Sequence, residues 1–171
     1  MALIVEDGTG VENAESYISV SDANAYIEKW RGTVGEWDSA GTSEQEIALR
    51  MGTRYIDSFE FLGLRAFTAQ TLSWPRAGLG PIDGQYFESS KIPDAIKYAV
   101  VEAALKHVDG ETLFPDHQGQ AIQSESDQVG PLSESVTYFS AKRPEKTFEL
   151  VQKLLRPFLT GGRRTLSRGV G

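Results

Sequence analysis

Cysteine is absent from this 171-residue chain, and with it go disulfide frameworks, thiol nucleophiles and thiolate metal sites. The absence is compatible with assembly in a reducing cytoplasm. Histidine occurs only twice, as His107 and His117, and neither stands at ligand-like spacing to the other or to a carboxylate pair. No stretch approaches membrane-spanning length, and the apolar run Ala2 to Val5 has no basic segment before it, so it does not read as a signal peptide. The expectation is a soluble, unexported protein with no membrane partner. Asp7-Gly-Thr-Gly10 lacks the third glycine and the Lys-Ser/Thr of a nucleotide loop, and Ser73 sits in no Gly-x-Ser-x-Gly elbow. The carboxylate pairs Glu44/Glu46 and Glu125/Asp127 are explained by helix dipoles and solubility. Neither catalysis, a cofactor nor a metal is expected.

What the chain does have is charge, unevenly spread. The formal net charge is −7, yet residues 1–60 hold twelve acidic against four basic residues, and from Lys142 onward eight basic face two acidic. An acidic and a basic surface, kept apart by the fold, would suit contacts between neighbouring copies or with different partners.

Local patterns predict a mainly α-helical fold: a small bundle of about four helices with a β-hairpin, an extended N-terminal arm and a flexible C-terminal tail. Leu3-Ile-Val5 and Tyr17-Ile-Ser-Val20 read as extended segments around the Asp7–Gly10 turn. Ser21 is placed to cap a helix over 22–30, ended by Gly32 and Gly35, and Ser43-Glu-Gln-Glu46 has the form of a capping box opening a helix to about Phe59. Its apolar stripe reads Ile47, Met51, Tyr55, Phe59. Residues 63–90 carry no helical period and form either a long ordered loop or a mobile one, a length that in a compact domain hints at binding or assembly. Pro93 and Asp94 open a helix, apolar nearly all round, that Gly110 stops; it is the expected central helix. A polar hairpin is expected within 121–139, around Gly130-Pro131, as a ribbon or an edge that pairs with another chain. Pro144 and Glu145 start a last helix with the stripe Phe148, Val151, Leu155, Phe158, Leu159, halted near Pro157, before the basic tail 161–171. Residues 1–160 thus read as a single domain.

Trp74-Pro75-Arg76 combines residue types enriched at interface hot spots. The plainer role for Trp74 is a loop folded back so that the indole covers the core. Both roles are compatible.

The segment Leu72-Ser-Trp-Pro-Arg-Ala-Gly78, the opening Ala2 to Gly10, and Glu15-Ser-Tyr-Ile-Ser-Val-Ser-Asp-Ala23 together resemble a family of small head-tail adaptor (neck or connector) proteins of tailed phages. Some of its members carry a label of DnaT-like single-strand DNA-binding protein. The resemblance implies a structural virion protein, assembled in the host cytoplasm as a homo-oligomeric, dodecameric ring under the portal protein. It implies contact with a tail-completion or tail protein and a channel through which genomic DNA passes without specific binding. The expected contact residues are Trp74 and Arg76 in the loop, Gly130 in the hairpin, and Arg163, Arg164, Leu166 and Arg168 in the tail. The alternative from a different class is a single-strand DNA-binding replication accessory protein. Against it, the chain is acidic overall, and its basic end supplies no stacking aromatic beyond Phe148 and Phe158, which the last helix needs for its core. A third reading is a regulatory or scaffold protein outside the virion.

Overall fold

The computed structural model describes residues 2–82, 84–114, 124–129, 132–137 and 148–161. Five α-helices occur among them: α1 (Val20–Trp30), α2 (Gly35–Ser39), α3 (Thr42–Asp57), α4 (Asp94–Val108) and α5 (Glu149–Leu155), with a 3-10 turn at Arg156–Phe158. Strands β1 (Leu64–Arg65) and β2 (Arg76–Ala77) form one short antiparallel pair, and β3 (Ser124–Val129) and β4 (Leu132–Thr137) form a hairpin. By its internal contacts the chain divides into two units, residues 1–114 with 148–171, and residues 115–147. The hairpin is therefore a unit of its own within the span read from sequence as one domain. Its register runs from Ser124 opposite Thr137 to Val129 opposite Leu132.

The larger unit is organised around α4, whose Ile96, Ala99, Val100, Val101, Ala103 and Ala104 are all buried, as its all-round apolar pattern predicts. Asp94 sits in its first turn, where the helix dipole favours an acid. Helices α3 and α5 pack on it, and α1 lies alongside. At the α3–α4 crossing a Cβ on Gly52 would stand 2.6 Å from the carbonyl oxygen of Val100, so only glycine admits this approach without movement.

Helix boundaries differ from the sequence reading for identifiable reasons. Helix α1 begins two residues early because Ser19, not Ser21, is the cap, its Oγ accepting the Asp22 N–H at 3.1 Å. Helix α3 is capped at Gly41, whose N–H donates to Glu44 Oε2 at 3.0 Å; the Ser43/Glu46 box does not form. Its buried face is Ala48, Leu49, Gly52, Thr53, Tyr55 and Ile56, while Ile47, assigned above to the core stripe, is exposed. The five-residue α2 was not anticipated; it exists to bury Trp37, whose Nε1 donates to Asn24 Oδ1 at 2.8 Å. Helix α5 starts at Glu149, and Pro157 enforces the change to the 3-10 turn, after which Leu159 bridges Phe61 and Thr160 N–H donates to Glu60 O at 3.0 Å.

The N-terminal arm is docked. Val5 bridges Ser16, and Glu6 turns inward, 1 % exposed, with Oε1 accepting the N–H of Gly8 and of Gly10 at 2.9 Å each. Gly8 has φ 104° and lies so close to Ser90 O that a Cβ there would stand 2.0 Å away, which fixes the arm against the end of the long loop.

Within the long loop, the stretch from Phe67 to Pro75 is held by its own side chains. Gln70 Nε2 donates to Leu72 O at 2.8 Å and Pro75 O at 3.1 Å, while its Oε1 accepts the Phe67 N–H at 2.9 Å. Trp74, preceding a cis peptide to Pro75, is wholly buried edge-on between Phe61 and Phe158, with ring centroids 5.6 and 5.5 Å away. Burial of a ring this size contributes about 4–6 kcal/mol as an upper figure.

Candidate functional site

Of the two roles weighed for Trp74, core packing is the one its position serves, since no part of the ring reaches the surface. Arg76 is bound inward as well. Its Nε donates to Leu62 O at 2.6 Å, Nη1 to Ser73 O at 3.1 Å, and Nη2 to Phe61 O at 3.1 Å and Gly63 O at 2.7 Å. Burial lowers its pKa, and four carbonyl acceptors hold the fork in place. The loop motif is thus a clasp that closes β1 and β2 over the core. Gly130, Arg163, Arg164, Leu166 and Arg168 lie outside the described residues.

The surface offers a different site. A cleft of about 480 Å³ opens between the arm, α1 and the start of α4. Tyr26 and Tyr98 stack across it with ring centroids 4.6 Å apart, joining α1 to α4. At its rim stands Trp30, 61 % exposed, with Lys29 Nζ 5.1 Å from the ring centroid. Asp7, Asp22 and Asp94 line it together with the inward-turned Glu6, against Lys29 and Lys97. Hydrogen bonds from the Thr9 hydroxyl and backbone N–H hold the Asp7 carboxyl below its ordinary range.

Behind the cleft the structure is rigidly tied. Glu102, 3 % exposed, accepts from Tyr26 OH at 2.8 Å and from Arg31 Nε at 3.1 Å, and Arg31 Nη2 donates to its second oxygen. This fork anchors the C-terminal end of α1 to the middle of α4. Burial, then the neighbouring Glu102, raises the Tyr26 pKa, so its hydroxyl stays a donor.

A larger groove of about 670 Å³ runs between Phe59, Glu60 and α5 to Gly161, but its Glu149 and Lys153 already pair at 2.7 Å. His107 lies in a shallow depression with Glu36, Glu44 and Ile47. Among the described residues no group of three or more His, Asp or Glu side chains is arranged to hold a metal ion, and no helix is long and apolar enough to cross a membrane.

Sequence reasoning missed Trp30, Tyr26 and Tyr98. The available signal was the i,i+4 pair Tyr26 and Trp30, beside the buried positions Ala23 and Ile27 of the same helix.

No curated protein and no solved structure matches the chain. Residues 1–169, nearly its whole length, match the family described as "Putative DnaT-like ssDNA binding protein", and the chain belongs to that family.

Proposed function

We propose that the protein is an assembly subunit, a head-tail adaptor that forms a ring under a phage portal and connects capsid to tail. The observation that carries this reading is the make-up of the cleft. An exposed tryptophan beside stacked tyrosines is the kind of surface that anchors protein interfaces. The surrounding carboxyls of Asp7, Asp22 and Asp94 oppose the approach of phosphate. Among the described residues outside the cleft, Arg31, Arg50, Lys91, Lys106 and Lys153 are in ion pairs and Arg76 binds carbonyls.

The second reading is single-stranded DNA binding. The family description speaks for it and not for the adaptor. Trp30 with Lys29 is also a pairing on which a base stacks beside a cation.

A titration of labelled single-stranded oligonucleotide, followed by anisotropy and tryptophan fluorescence across salt concentrations, separates the two. The adaptor reading predicts no saturable binding even at low salt. Binding whose affinity falls steeply with salt would establish the second reading in its place.

A further inference from the structure

We propose that the cleft between the arm, α1 and α4 receives the arginine-bearing C-terminal segment, residues 162–171, of a second copy of this chain. The proposal rests on the assembly reading above and gives one of its contacts a chemical identity.

Charge complementarity is the first argument. The segment carries Arg163, Arg164 and Arg168 and no acidic residue, while the cleft sets four carboxyls against two lysines. Guanidinium groups fork onto carboxylates and stack on aromatic faces, and this cleft offers both in one place: Asp22 and Asp94 for the fork, Trp30 and Tyr98 for the face. Leu166, between the arginines, matches the apolar wall of Ile18 and Ala25.

Glu6 supplies the second argument. Buried polar atoms are ordinarily satisfied, yet Glu6 Oε2 has no hydrogen-bond partner among the described residues, although Oε1 accepts two N–H groups. Glu6 thus lines the cleft with a buried carboxyl oxygen short of a donor just beneath its wall, and a guanidinium is a donor-only group. The neutral arm turn around it, Gly8 to Gly10, provides none for Oε2.

A ring places one patch against a different patch on the next copy, which is the geometry of a tail seated in a neighbour's cleft. Ten extended residues reach about 35 Å, enough to cross a subunit boundary.

The lack of native cysteine makes the test direct. Full-length Ala25→Cys, with its thiol in the cleft, is mixed with full-length Thr165→Cys under mild oxidation, and linked species are read by intact mass. The proposal predicts a mixed dimer formed at least about tenfold faster than either homodimer. Adding Asp94→Lys to the cleft chain should slow linkage by about the same factor, and adding Arg163→Glu and Arg164→Glu to the tail chain should restore it. Asp94 is exposed, and a melting curve that stays cooperative, shifted down only by the modest cost of a cation at the N-terminus of α4, checks that the variants fold.

Mixed linkage no faster than homodimer formation overturns the proposal. So does linkage confined to single molecules of an Ala25→Cys/Thr165→Cys double variant, which would put the tail in its own cleft. Salt-dependent suppression of linkage by single-stranded oligonucleotide would assign the cleft to DNA and overturn it likewise. A ring that assembles with the portal without this linkage would remove the cleft contact alone and leave the adaptor reading standing.

Discussion

The phenolic hydroxyl of Tyr17 donates to Asp57 Oδ1 and accepts the backbone N–H of Trp74 at 3.0 Å, so a single oxygen ties the N-terminal arm to the end of α3 and to the long loop. Asp57 completes the junction by accepting the Ser73 N–H on Oδ2 at 2.9 Å. Three segments distant in sequence are thereby fixed around one buried tyrosine, 1 % exposed.

Tyr17→Phe keeps the ring and removes the hydroxyl, leaving the Trp74 N–H and one Asp57 oxygen without their partner. The expected cost is about 1–3 kcal/mol, because the groups left behind are buried or partly so. Urea unfolding read at a lower midpoint with an unchanged slope is the check.

Asp57 also predicts a pH effect. Burial is the largest influence on it and raises its pKa above the ordinary 3.8, against the lowering hydrogen bonds from Tyr17 and Ser73. An acid whose folded pKa exceeds its unfolded pKa holds its proton more tightly when folded. Its contribution is fully present below pH 3.8 and is lost as pH rises through the higher folded value. The stability of the wild type relative to Asp57→Asn should therefore decline across that window and level off above it. Urea midpoints of both proteins over the acid range would show this; a difference that grows with pH would contradict it.

Gly52→Ala sets two effects against each other. Alanine gains about 1 kcal/mol of helix propensity over glycine. Its Cβ would meet Val100 O at 2.6 Å and the Ala104 N at 3.1 Å, both backbone atoms of α4 that cannot rotate away. Overpacking of this kind costs about 1–3 kcal/mol, so the net expectation is destabilisation, measured as a lower melting temperature. A more stable variant would mean that α3 and α4 separate easily.

The all-round apolar run from Ile96 to Leu105 identified the central helix because a buried helix needs no polar face, and the polar alternation on either side of Gly130-Pro131 identified the hairpin. The Trp74 indole was legible as a core ring, whereas Arg76 looked like a surface anchor because nothing local reveals that the carbonyls of Phe61, Leu62 and Gly63 converge on it. Capping was misplaced by two residues at both Ser21 and Ser43, since several Ser, Thr and Gly residues in a row offer equivalent caps and tertiary packing chooses among them. The cleft was invisible for a similar reason: Tyr98 lies 72 residues from Tyr26, and only the fold stacks them.

Trp30→Ala separates fold from function. The side chain is 61 % exposed, so stability should move by no more than about 0.5 kcal/mol. If the ring is an interface anchor, assembly should weaken by about 2 kcal/mol or roughly 30-fold, read by sedimentation or mass photometry of the oligomer. Full assembly by the variant would exclude this surface as an anchor.

Assembly is decided by the mass and shape of the full-length protein with a portal ring, by native mass spectrometry and particle imaging. The adaptor reading predicts a discrete closed ring, formed alone or only upon the portal. A monomer whose mass is unchanged by the portal, and which binds single-stranded oligonucleotide in a salt-dependent way, would contradict it.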